Sequence, residues 1–198
     1  MSSGLRIAFA GDRDISVRAL EVIVESGVRP LALCLSSERR ASHAEKLRVM
    51  CGHLGAEDVF CGTEFRSARG IERLKFLNLD YVVGIHFPYI VTPEVLEIPR
   101  YGFLNLHPAF LPHNRGWHTP SWAILEDTPI GATFHFMDEG VDTGDIILQR
   151  EIPISPGDTA NSLYRRIKDL ELELFKEAWP RIVLGEYSRT QQRLMSGS

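Results

Sequence analysis

Asn105 and His107 stand two residues apart at the end of an apolar stretch that Pro108 interrupts. On a strand that spacing puts both side chains on one face. Pro108 cannot donate to a ladder, so His107 is expected at an exposed rim. An amide beside an imidazole can bind a developing oxyanion and move a proton near neutral pH. A second stretch, Asp138-Glu139-Gly140-Val141-Asp142-Thr143-Gly144-Asp145, crowds carboxylates into a loop tightened by glycines. One of those carboxylates could fix the tautomer of a histidine and favour its charged form. Taken singly, an Asn/His pair at a strand end is more often structural, and an acidic loop is more often a solvated turn. The D-x-[DN]-x-[DN]-G spacing of a calcium loop is absent.

Other candidate chemistry is thinner. Gly11-Asp12-Arg13-Asp14 follows the first apolar run, but neither G-x-G-x-x-G nor G-x-x-x-x-G-K-[ST] occurs, which removes the main support for dinucleotide or P-loop binding. Gly11 serves equally as a plain strand-to-helix turn or as part of a grip on a ligand. His107, His113 and His118 are spaced for no helical zinc motif, and Pro108 and Pro112 forbid a helix there, so no metal is expected.

The elements that must carry these residues alternate. Apolar, β-branched runs at 5–10, 30–35, 59–60, 80–85 and 102–106 read as strands. Helical patterns follow at 14–26 (capped by Asp14, stopped by Gly27), 42–54 (capped by Ser42), 69–77, and from Thr92-Pro93-Glu94. Residues 130–137 and 145–154 read as two further strands around the acidic loop. A long helix then starts at Asp158-Thr159 and runs towards Leu184, with Pro180 expected to kink or end it. Repeated βα units imply an α/β fold with a mostly parallel twisted sheet and helices on both faces. In such sheets ligands bind beyond the carboxyl ends of strands, where strand order reverses.

Composition bounds the rest. At 198 residues, 44% hydrophobic and 24% charged, the chain suits one domain, residues 1–187, with a polar tail at 188–198 expected to fray. No run of 18 apolar residues exists, so no membrane partner is expected. Three cysteines at spacings of 17 and 10 fit neither a zinc site nor a disulfide framework, which points to a cytoplasmic protein. The net charge is −4, and the small basic groups, Arg39-Arg40 and Arg165-Arg166-Lys168, sit among acids. Nucleic acid is therefore not expected as a partner. The final helix could pair two subunits into a homodimer, or simply pack in the core.

Asn105-Leu106-His107-Pro108, Leu111-Pro112, Asn114-Arg115-Gly116 and the acidic stretch to Ile146, taken in that order, resemble the N10-formyltetrahydrofolate-dependent formyltransferases. That family includes glycinamide ribonucleotide formyltransferase, the catalytic domain of methionyl-tRNA formyltransferase, and sugar N-formyltransferases. The match covers roughly residues 80–155. It implies a single Rossmann-like formyltransferase domain using N10-formyltetrahydrofolate as co-substrate. It also implies Asn105, His107 and Asp142 as the catalytic set. The pterin would lie against Phe87, Pro88, Tyr89 and Ile90, and against Asp138, Glu139, Gly140 and Val141. For Phe87 and Tyr89, simple packing serves as well.

The amine acceptor would face Gly11, Asp12, Arg13, Arg115, Gly116 and Trp117. Arg115 could meet a phosphate or a structural carboxylate, and Trp117 a sugar face or the core beside Trp122. The chain stops soon after Leu184, where the tRNA enzyme carries a further domain, and the first turn offers phosphate two carboxylates. A small biosynthetic amine, an amino sugar first, is thus the expected acceptor. The alternatives are a glycinamide ribonucleotide enzyme and a formyltetrahydrofolate hydrolase. The hydrolase usually has an extra N-terminal domain, whereas this chain opens directly on a strand.

Overall fold

The computed structural model describes residues 4–37, 39 and 41–192. Arg40 and the tail beyond Gln192 lie outside the described residues. The sheet has seven strands in the order β3-β2-β1-β4-β5-β6-β7 among those residues. The chain divides into two compact units, Met1–Asn105 and Leu106–Ser198. No described helix is long and apolar enough to cross a membrane.

In the first unit, β1 (Ile7–Gly11), β2 (Ala32–Leu35), β3 (Val59–Cys61) and β4 (Tyr81–Ile85) are joined through α1 (Asp14–Glu25), α2 (Ala44–Met50) and α3 (Ala68–Phe76). β1 pairs in parallel with β2 on one side and β4 on the other, and β2 with β3. Every residue of β1, β2 and β4 is buried. A parallel strand covered on both faces needs such an unbroken apolar run rather than alternation, which is why these strands are readable as blocks. The short α4 (Pro93–Leu96) leads into β5 (Gly102–His107), which crosses from the first unit into the second.

The cap of α1 differs from expectation. Asp14 is already in the first turn, and Ser16 Oγ accepts from the backbone N–H of Arg13 (3.1 Å) and of Asp12 (3.2 Å) while donating to Ile85 O (2.6 Å). Gly11 leaves room for that hydroxyl: a Cβ there would sit 2.7 Å from Ser16 Oγ. Likewise Ser42 does not cap α2; the cap position is His43, and Ser42 Oγ donates to Asp12 O at 2.7 Å.

The second unit holds α5 (Thr119–Glu126), β6 (Ile130–Phe136), β7 (Ile146–Ile152) and α6 (Ala160–Leu184). β6 and β7 are antiparallel with an irregularity between Phe134 and His135. All seven residues of β6 are buried. α6 packs on β6, β7 and α5, with Phe134 edge-on to Phe175 and Phe175 stacked on Trp179. Its apolar stripe is therefore core. Thr159 and Ser162 cap it reciprocally, and Gly185, at φ 71°, ends it in the left-handed conformation.

Pro180 neither ends nor divides α6. Pro180 is exposed, and the carbonyl four residues back belongs to exposed Lys176, so water can take the lost hydrogen bond. Residues 188–192 run beside the start of β7. Thr190 exchanges two backbone hydrogen bonds with Ile146 (2.8 and 2.9 Å), and Gln192 is buried.

Candidate functional site

β5 delivers Asn105 and His107 on one face, and Pro108 ends the strand after His107. The loop that follows is stapled to β6 and β7. Thr133 Oγ1 donates to Ala109 O (2.7 Å) and accepts from Leu111 N (3.2 Å), and Gln149 Nε2 donates to Leu111 O (2.9 Å). The returning loop covers His107, leaving it 6% exposed. That corrects the expectation of an exposed rim: the loop's own backbone, not solvent, meets the ring, with Asn114 O 3.4 Å from Nε2.

The acidic loop folds on itself through Asp138, whose Oδ1 accepts from Gly140 N (3.1 Å) and Thr143 Oγ1. This turn throws Asp142 inward with φ at 51°, a conformation uncommon for residues with a side chain but tolerated by Asp. Gly116 N–H donates to Asp142 Oδ2 at 2.9 Å. The same oxygen lies 3.6 Å from His107 Nε2. The structure thus brings together His107, Asp142 and Gly116 of the expected residues. A carbonyl can only accept, so His107 Nε2 carries the hydrogen turned towards Asn114 O and Asp142. Nδ1 is then the nitrogen whose protonation can change.

His135, on β6, was not singled out from the sequence. It is wholly buried, its Nε2 is 3.7 Å from Asp142 Oδ1, and its ring stands edge-on to His107. Its Nδ1–H donates to Phe136 O at 2.7 Å. Burial, and then the neighbouring His107, push its pKa down to about 4, against smaller opposing effects of Asp142 and Asp138. At neutral pH His135 is uncharged, and the negative charge of Asp142 is left to His107. A lone ionisable residue, His135, inside a strand that abuts the acidic loop was the available signal, since buried polar groups require partners.

Gly144 lets this loop close onto β6. A Cβ there would collide with Phe136 O, the carbonyl that holds His135. Gly144→Ala is expected to lower unfolding stability by about 1–3 kcal/mol, as overpacking does. The denaturant midpoint measures it, and an unchanged midpoint refutes this role.

Asp12 is fully buried, and its carboxylate accepts from Ser42 N and His43 N (2.9–3.1 Å). Its charge is therefore engaged in holding backbone. Arg13 Nη1 reaches Ser42 Oγ (3.3 Å). Phe87 and Tyr89 pack with Phe65, and Tyr89 Oη accepts from Ser37 N (2.9 Å), while Ile90 is exposed. Pro88 is half-buried between them, and Asp138, Glu139, Gly140 and Val141 are exposed. Arg115 Nη2 donates to Gln192 Oε1 (2.7 Å), a neutral partner, and its buried Nε has no hydrogen-bond acceptor among the described residues. Trp117 is 69% exposed, so it is not core beside Trp122. Among the described residues no cluster of three or more His, Cys, Asp or Glu could hold a metal ion.

Known proteins share this arrangement of chain. A methionyl-tRNA formyltransferase of Citrifermentans bemidjiense is 31% identical over 190 residues, which is 93% of this chain and 59% of that protein. The chain spans about three fifths of the length of such curated relatives, so where it stops carries no weight for the acceptor. Glycinamide ribonucleotide transformylase 1 of Symbiobacterium toebii superposes with a TM-score of 0.77 at 25% identity, covering 98% of this chain and 96% of that one. The formyltransferase PseJ of Anoxybacillus kamchatkensis, solved with UDP-4,6-dideoxy-4-formamido-L-AltNAc and tetrahydrofolate, superposes with a TM-score of 0.62 at 30% identity, covering 83% and 82%. The family model described as formyl transferase matches residues 51–179, which include the whole of the His107, His135 and Asp142 cluster. The chain belongs to the formyl transferase family.

Proposed function

We propose that this chain transfers the formyl group of N10-formyltetrahydrofolate to the primary amine of a small biosynthetic precursor. The observation that carries the reading is the 3.6 Å approach of a half-buried aspartate to a buried strand-end histidine, with Asn105 two residues before it. The family supplies the donor, and the braced loop 138–141, with Val141 exposed, offers it a backbone edge. In the transfer the amine nitrogen bonds to the formyl carbon and the bond from that carbon to N10 breaks. Asn105 and His107 donate hydrogen bonds to the formyl oxygen as negative charge develops on it. Asp142 holds the His107 tautomer and takes the amine proton, and N10 leaves with a proton. Three free thiols, two of them pushed up by burial to about 12 (Cys34) and about 11 (Cys51), suit the reducing cytoplasm.

An amino sugar carried on a nucleotide is the acceptor this reading puts first. Exposed Trp117 directly follows Gly116, whose N–H binds Asp142, and offers an aromatic side chain for a sugar face. The partly uncompensated Arg115 guanidinium suits a phosphate. Methionyl-tRNA is a second reading, favoured by the relatives at 31% identity. The net charge of −4 weighs against it, because RNA affinity rests on phosphate neutralisation. The test is release of tetrahydrofolate from N10-formyltetrahydrofolate with a nucleotide-linked amino sugar, glycinamide ribonucleotide, methionyl-tRNA or no amine. Amine-dependent release supports transfer and names the acceptor. Equal release without amine means a hydrolase, and no release with any amine overturns the reading. With the sugar as substrate, Trp117→Ala is expected to raise the acceptor KM roughly tenfold, the worth of one stacking contact of about 1.4 kcal/mol.

A further inference from the structure

Residues 188–192 form a strap along the end of β7. Thr190 pairs with Ile146, Arg189 Nε donates to Asp145 Oδ2 (3.1 Å), and the Arg189 guanidinium lies 3.8 Å from the centre of the Phe136 ring. The strap ends in Gln192, which is 8% exposed although its neighbours 188–191 are open. All of its hydrogen-bonding sites converge on the site. Nε2 donates to Asp142 O (2.9 Å) and to Gly144 O (2.8 Å), and Oε1 accepts from Arg115 (2.7 Å). Asp142 has a left-handed backbone, uncommon for a residue with a side chain. Gly116 restrains its carboxylate, and Gln192 restrains its carbonyl.

We propose that Gln192 is a positioning residue of the transfer reaction, its single amide holding the Asp142 backbone in register with His107 while aiming Arg115 at the acceptor. The proposal rests on the formyl-transfer reading for its kinetics, but its geometry does not. A primary amide is required: two N–H groups meet two carbonyls and one C=O meets a guanidinium. Glutamate keeps the Arg115 contact and turns oxygens on both carbonyls, so the two halves of the role can be separated.

Gln192→Ala, made in the full chain, is expected to lower kcat roughly 10- to 100-fold, the scale of a displacement of about 1 Å at a reacting group. The donor KM should stay within about twofold. Gln192→Glu should lose as much kcat but keep the acceptor KM, which Gln192→Ala should raise. A readout free of activity is the titration of His107 by NMR in histidine-labelled protein. Once the carboxylate is no longer held beside the ring, its midpoint should fall in both variants. Arg189→Ala loosens the strap without touching Asp142 and should leave kcat within about threefold of wild type. The proposal is overturned if Gln192→Ala keeps both kcat and the His107 midpoint, or if Arg189→Ala reproduces the full loss. Should Gln192→Ala fail to fold, Gln192→Glu decides on the same two readouts. A wild-type chain that moves no formyl group sinks the transfer reading alone, since the His107 titration still reports on the clamp.

Discussion

Asp142→Asn is expected to cut kcat by roughly 10²- to 10⁴-fold, the range over which a positioned acid or base contributes, while the fold survives. Asn is close in shape to Asp, tolerates the left-handed φ of 51° at this position, and retains an oxygen for the Gly116 N–H at 2.9 Å. What it removes is the negative charge 3.6 Å from His107 and 3.7 Å from His135. His107 then loses both the charge that favours its protonated form and the acceptor of the amine proton. His107→Ala should cost a similar factor, and the double variant little more than either, because residues acting as one unit are not additive. Single-turnover rates at saturating donor and acceptor, with thermal melts alongside, read both effects. A turnover within tenfold of wild type in Asp142→Asn, at an unchanged melting temperature, overturns the assignment.

The strands of this chain were legible because each is settled locally. Residues 81–85 are a β-branched and aromatic block that a parallel sheet buries on both faces, and no distant residue had to be known. α5 was missed although Pro120 marks a first turn. Its run Trp122-Ala123-Ile124-Leu125 exposes three of four residues, so it carries no helical periodicity. That Pro180 does not end α6 depends on the exposure of Lys176, which lets a helix absorb a proline and is a tertiary fact.

Within the site, Asn105, His107 and Asp142 stood out through the order and spacing of two short motifs. His135 and Gln192 did not, because nothing near them in sequence shows their role. His135 matters through a carboxylate seven residues on, across a turn, and Gln192 through carbonyls 50 and 48 residues before it. Polar composition alone made residues 188–192 look like a tail.

Acidification should destabilise the chain chiefly through His135. Its imidazole is buried and has a pKa of about 4 in the folded protein, against 6.5 for the ordinary group. Between those values the unfolded chain binds the proton and the folded chain does not, so stability rises with pH across that window. The contribution is whole above about pH 6.5 and is withdrawn as pH falls towards 4, reaching about 3 kcal/mol at 1.36 kcal/mol per pKa unit. Asp158, whose carboxyl is held low first by the Ser155 N–H and then by Ser162, adds acid sensitivity only at lower pH. The comparison that isolates His135 is the slope of unfolding free energy against pH in wild type and in His135→Gln, from denaturant titrations between pH 7 and 4.5. Glutamine does not titrate, so even a less stable variant should show a visibly flatter slope. Protonated His135 would also compete with His107 for the Asp142 carboxylate 3.7 Å away, so activity should fall on the acid side before the fold is lost. Parallel slopes in the two proteins would mean that His135 accepts its proton as readily folded as unfolded, and that the charge of Asp142 is shared between two imidazoles instead of being kept for one.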